Sequence, residues 1–147
     1  MAILSLGYIG IRSDKLDDWA DFSTSQLGMS LLDRAGKNLS FRMDNYKQRF
    51  IVNNEVGKSL AFLGWETGNA TDLDKLAAAV EATGTPVVRA SRELCDQRFV
   101  TDMILLDDPN GNRLELFYGP MIDDEPFTAT RLWPNLFLIQ QNSGDVT

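Results

Sequence analysis

Histidine is absent from all 147 residues, and this removes the commonest catalytic chemistries from the chain at once. Serine triads, histidine-ligated zinc or iron, and imidazole acid–base steps all need that ring. The single cysteine, Cys95, would need a base to become a thiolate nucleophile, and without imidazole it reads as an inert thiol. Three acidic pairs have the composition of an acid–base dyad or a hard-cation site: Asp17/Asp18, Asp107/Asp108 and Asp123/Asp124. One falls in a helical first turn, one at a turn between strands and one in a linker, where solvated carboxylates are ordinary, so they are assigned no chemistry. The segment Asp108–Asn112 lies between strands and lacks the strand-to-helix context of a phosphate loop.

The remaining bulk properties narrow the partners. One domain fits the length, and 44% hydrophobic with 24% charged residues is a globular composition. With 21 acidic against 14 basic residues the net charge is −7, which offers no footprint for a phosphate backbone, so no nucleic-acid partner is expected. A lone cysteine permits no internal disulfide and fits a reducing compartment. The opening Met1–Leu6 lacks a basic leader, and no run reaches the roughly 18 apolar residues of a spanning helix; the expectation is a cytoplasmic chain without membrane contact.

The elements that must position any site follow from periodicity. Leu4–Ile11 is an apolar strand. Asp14 is a candidate cap for a helix with Asp17 and Asp18 in its first turn, an apolar face of Leu16, Trp19, Ala20 and Phe22, and Gly28 as terminator. Strands are expected over Met29–Leu32, Lys37–Met43 and Tyr46–Asn53, the second alternating Leu39, Phe41 and Met43 with Ser40 and Arg42. The same order then recurs. A strand over Ser59–Glu66 precedes a helix opened by Thr71-Asp72-Leu73-Asp74 as an acidic capping box, lined by Leu73, Leu76, Ala77 and Val80 and ended by Gly84. Pro86–Ala90 is extended, Ser91–Arg98 is a polar connection, and Val100–Leu106 and Arg113–Tyr118 flank the turn Asp108-Pro109-Asn110-Gly111. The fold class is therefore α+β, two tandem β-α-β-β-β modules over about 4–53 and 59–119 forming a curved mixed sheet around a cleft, with 120–147 as linker and apolar tail.

Two such modules, the second closed by Asp108-Pro109-Asn110-Gly111-Asn112-Arg113-Leu114-Glu115-Leu116, resemble the vicinal oxygen chelate superfamily of glyoxalases, bleomycin-resistance proteins and dioxygenases. More narrowly, Leu6-Gly7-Tyr8-Ile9-Gly10, Leu60-Ala61-Phe62-Leu63-Gly64-Trp65-Glu66 and Leu114-Glu115-Leu116-Phe117-Tyr118-Gly119 resemble the amino-terminal domain of type I extradiol dioxygenases of the dihydroxybiphenyl type. The resemblance implies a two-domain oxidoreductase of aromatic catabolism whose carboxyl-terminal domain holds Fe(II) on two histidines and a glutamate. It places Tyr8, Phe62 and Glu115 at the ligand positions of this chain. Two of the three are aromatic, so no catalytic residue, cofactor or metal is assigned here.

Glu115 can then be a remnant ligand, a hydrogen-bonding cleft residue or a carboxylate paired with a cation; the last two are favoured. Tyr8 is either core filler, the commoner use of an aromatic on a buried strand, or a hydroxyl offered to a ligand. Three functions are weighed. The first is a non-catalytic amino-terminal domain of an extradiol dioxygenase with a structural and assembly role, partnered by a missing catalytic domain or by copies of itself. The second is a free-standing bleomycin-resistance-like protein binding a small aromatic or cationic ligand between Trp19, Trp65, Phe62 and Tyr118. The third is a glyoxalase-like metalloenzyme. Finally, Leu132–Ile139 carries six large apolar residues and is expected to dock as an extended arm.

Overall fold

A computed structural model describes residues 3–129 of the chain. The expected arm at Leu132–Ile139 lies outside the described residues.

The chain forms strand β1 (Ile3–Arg12), helix α1 (Leu16–Asp21) running into a π-helical turn over Phe22–Gln26, and strands β2 (Ser30–Ala35), β3 (Asn38–Arg42) and β4 (Phe50–Asn53). There follow β5 (Leu60–Thr67), α2 (Ala70–Ala82), β6 (Val88–Arg89), α3 (Arg92–Arg98), β7 (Val100–Asp107) and β8 (Arg113–Pro120). All eight strands join one mixed sheet in the order β2-β3-β4-β1-β5-β8-β7-β6. Each half therefore repeats the same wiring: β1 runs parallel to β4 and β5 parallel to β8, and the halves meet where β1 and β5 pair antiparallel.

Strand alternation sorts the side chains onto two faces. On one face, α1 covers Leu39, Phe41, Phe50 and Val52 together with Ile9 and Ile11, while α2 sets Leu73 against Ile104 and Leu116. The residues between these point the other way. There Tyr8, Phe62, Met103 and Phe117 cluster with Cys95 of α3. α3 thus roofs the second half of the face that α1 and α2 leave uncovered.

The structure corrects several local expectations. Asp14 does not cap α1; the position before the helix is Lys15, which makes no side-chain cap, and the Lys15 N–H is taken up by Ser13 Oγ at 3.1 Å. The widened turn after Asp21 follows from Thr24, whose hydroxyl donates to the Ala20 carbonyl at 2.8 Å and so competes for the helix's own hydrogen-bonding group. Helix α2 begins before Thr71: Asn69 is its cap, with Oδ1 accepting the Asp72 N–H at 2.9 Å. Gly28 and Gly84 do take the left-handed conformation expected of helix terminators.

The expected connection at Ser91–Arg98 is instead a helix, capped by Ser91 Oγ on the Leu94 N–H and closed by Phe99 at φ 55. Its apolar residues, Leu94 and Cys95, are adjacent, and so carry no 3.6-residue rhythm. The expected strand over Tyr46–Asn53 begins only at Phe50, because Asp44 binds the Arg49 guanidinium and the Tyr46 N–H and curls the preceding residues into a loop. Residues 121–127, read as a free acidic linker, lie along that loop. The Lys47 N–H donates to the Met121 carbonyl, Lys47 and Arg42 pair with Asp123, and Arg42 reaches the Glu125 carbonyl at 2.8 Å.

The cap assignment is directly testable. Asn69→Ala should lower the unfolding free energy by about 1 kcal/mol. Thr71→Ala should change it by under about 0.5 kcal/mol, with urea denaturation as the measurement; equal losses from both would restore the capping box at Thr71.

Candidate functional site

The site is built where β1, β5, β8 and α3 converge. Three glycines open it by omitting a Cβ that a neighbouring ring would strike. A Cβ on Gly64 would fall 2.4 Å from the Tyr8 ring, one on Gly10 2.2 Å from Phe62, and one on Gly7 2.3 Å from Phe117. Phe62 and Tyr8 therefore lie against the backbone of the adjacent strand, and Phe117 of β8 reaches across β5 to Gly7 of β1. Tyr8 stacks on Phe117 with centroids 5.1 Å apart and meets Phe62 edge-on at 5.9 Å.

At the centre is Glu115 of β8, fully buried. An isolated carboxylate there would be prohibitively costly, and the structure surrounds it with donors. The Tyr8 hydroxyl donates to Oε1 at 2.7 Å. Arg98, the last residue of α3, donates from Nε to Oε1 at 2.7 Å and from Nη2 to Oε2 at 3.2 Å. Arg113, two residues before Glu115 on the same strand face, reaches Oε2 from Nη2 at 2.9 Å. The Arg98 guanidinium also lies 3.9 Å from the Phe62 ring centroid, so the same cation that neutralises Glu115 is held against an aromatic face.

The three residues singled out in the sequence, Tyr8, Phe62 and Glu115, are thus brought together, with Arg98 between the last two. Tyr8 fills core, and its hydroxyl is taken by Glu115 rather than turned to the cleft. Burial, and then the charge of Glu115, push its phenol pKa well above the ordinary range, so it stays protonated and donates. Cys95 is buried in the same cluster with its thiol pKa pushed up by burial, the condition of an inert thiol. Of the aromatics considered for a cationic ligand, Trp19 packs from α1 onto the sheet, and Trp65 and Tyr118 pack under α2, on the opposite face. Only Phe62 lines the cleft.

The donor set does not fit iron. A facial triad needs two imidazoles and a free carboxylate. Here Phe62 has no donor atom, and both Glu115 oxygens are bound by guanidinium groups. Among the described residues no group of three or more His, Cys, Asp or Glu side chains is placed to hold a metal. For the same reason histidines at positions 8 and 62 would not alone complete a metal site, since two arginines would have to be displaced from Glu115 first.

Arg98 and Arg113 are the residues sequence reasoning missed. Arg113 stands two positions from Glu115 in a strand, a spacing that signals a shared face. Arg98 gave no comparable signal, because its helix was read as a connection.

In front of the cluster lies a cleft of about 660 Å³ lined by residues of both halves, among them Arg12, Asn38, Ile51, Phe62, Arg98 and Arg113.

Comparison with known proteins gives this arrangement its context. Residues 6–54 match the family model described as dihydroxybiphenyl dioxygenase BphC D1. A biphenyl-2,3-diol 1,2-dioxygenase of Sphingomonas paucimobilis is 33% identical over 133 residues, covering 89% of this chain and 44% of the relative. An iron-dependent extradiol dioxygenase of Rhodococcus jostii (strain RHA1) is 30% identical over 126 residues, covering 84% and 41%. The crystal structure of a catechol 2,3-dioxygenase superposes with a TM-score of 0.86 at 32% identity, covering 91% of this chain and 48% of that one. The chain thus spans less than half the length of the curated relatives it matches.

Two predictions follow from the charge cluster. Glu115→Leu should cost about 3–5 kcal/mol, because it leaves Arg98 buried without an anion, and adding Arg98→Met should recover a large part of that loss. Equilibrium unfolding measures both, and a single-variant loss under about 1 kcal/mol would show that the cluster is not holding the strands. The raised Tyr8 pKa implies stability that is complete below the unfolded phenol's pKa of about 10 and falls above it, where the unfolded chain releases a proton that the folded chain keeps. Tyr8→Phe should diminish this alkaline loss in a pH series of melting temperatures; an unchanged slope would contradict the assignment.

In sequence and in fold, the chain resembles the amino-terminal domain of the dihydroxybiphenyl-type extradiol dioxygenases.

Proposed function

We propose that the chain is the non-catalytic amino-terminal domain of an extradiol ring-cleaving dioxygenase, serving structure and assembly beside a separate iron-bearing domain. The observation that carries this reading is the state of Glu115. Where an iron site needs a carboxylate with free lone pairs, this carboxylate is taken up by Tyr8, Arg98 and Arg113. Its role is to join β1, β8 and α3 electrostatically. On this reading residues 1–119 are the domain and 120–147 the linker and tail, its first part held against the domain through Asp123 and Glu125, and Tyr8, Phe62 and Glu115 stand at the positions where the catalytic counterpart carries its ligands.

The partners proposed are that catalytic domain and further copies of the same chain. Among the described residues no helix is long and apolar enough to cross a membrane, and a cytoplasmic location is part of the proposal. For the free-standing binder of a small aromatic or cationic ligand, the cationic case is disfavoured by the cleft itself, where Arg98 covers Phe62, the one lining aromatic of Trp19, Trp65, Phe62 and Tyr118.

The test is metal analysis after anaerobic reconstitution of the 147-residue chain with Fe(II), together with an assay on 2,3-dihydroxybiphenyl. The expected result is substoichiometric iron and no ring cleavage. One equivalent of iron with extradiol activity would overturn the proposal.

A further inference from the structure

The cleft carries a charge imbalance that the structural role of Glu115 leaves unexplained. The whole chain has a net charge of −7, yet this cleft is lined by Arg12, Lys47, Arg98 and Arg113 against Asp33 and Glu55. Both of those carboxylates are exposed, at the rim. Lys47 is paired with Asp123, and Arg98 with Glu115. Arg113 shares that same Glu115, so two guanidinium groups divide one carboxylate. Arg12 forms no ion pair among the described residues, and its Nη1 reaches only the Lys58 carbonyl at 3.3 Å. The Nε atoms of Arg12 and Arg113 are both buried with no hydrogen-bond partner among the described residues. A buried N–H donor left without an acceptor is costly, and two on cationic groups lining one cleft call for an anion.

We propose that this cleft is a binding site for a small organic carboxylate with a ring-sized apolar body. Arg12, whose guanidinium holds no carboxylate among the described residues, and Arg113, which shares one, supply the charge, in the charge-assisted geometry that guanidinium groups offer to carboxylates. The apolar body is accommodated by Ile51, Phe62, Leu94 and Phe99 on the same lining. A volume of about 660 Å³ is ample for an aromatic acid and falls in the range of small-ligand sites. The inference stands apart from the dioxygenase reading, because it rests on this chain's own cations and would hold for a free-standing protein equally.

The experiment titrates the full chain with benzoate, followed by calorimetry and by the arginine Nε–H resonances, with benzamide as a neutral probe of the same shape. Saturable one-to-one binding of benzoate is expected, with benzamide at least about tenfold weaker, as loss of one charge-assisted contact implies. Arg12→Gln should weaken benzoate by about the same factor at unchanged melting temperature, since Arg12 holds no ion pair. Arg113→Gln, on a different strand, is the second variant and should weaken it similarly. Absence of saturation, equal binding of benzamide, or undiminished binding by both variants would overturn the proposal.

Discussion

A carboxylate with no solvent access must be neutralised by the protein, and in this molecule that requirement falls on Glu115. Meeting it fixes the relative positions of three elements far apart in sequence. Tyr8 comes from the first strand, Arg98 from the end of α3, and Arg113 from the same strand as the carboxylate. Removal of any one donor leaves the others holding a charge without its full complement. The seam between the two sheet halves, where β1 pairs with β5, lies beside this cluster, so the charge arrangement and the joining of the halves are coupled.

The rings around the carboxylate lower the local polarity and thereby strengthen each of these hydrogen bonds. They can approach only because Gly7, Gly10 and Gly64 carry no side chain where Phe117, Phe62 and Tyr8 lie. Aromatic residues and glycines are thus matched across β1, β5 and β8. An iron site between these strands would need imidazoles and open coordination positions. This chain supplies rings and guanidinium groups instead, with Arg98 and Arg113 held on the carboxylate.

Much of the fold was legible because it rests on period and punctuation. The alternation of Leu39 and Phe41 with Ser40 marked strand β3, though Met43 falls beyond it and is exposed while Arg42 is buried, and Gly28 and Gly84 marked helix ends that do adopt positive φ. The repeated order of elements was legible for the same reason. What failed was local polar competition: Thr24 widening a helix, Asn69 capping in place of Thr71, and Asp44 binding Arg49 where a strand was expected. At the site, Tyr8, Phe62 and Glu115 were found through resemblance. Arg98 was not, because a seven-residue helix whose apolar side chains are adjacent has no amphipathic rhythm. Charge pairing across 17 residues likewise leaves no spacing signature.

The central claim is that a guanidinium group, Arg98, is fixed on Glu115 and against Phe62. Nitrogen-15 NMR of the arginine side chains of the full chain observes this directly. The account predicts an Arg98 Nε–H that exchanges slowly with solvent and shows nuclear Overhauser contacts to the Phe62 ring, both lost in Glu115→Gln. An Arg98 Nε–H that exchanges as fast as those of exposed arginines, with no contact to Phe62, would contradict it.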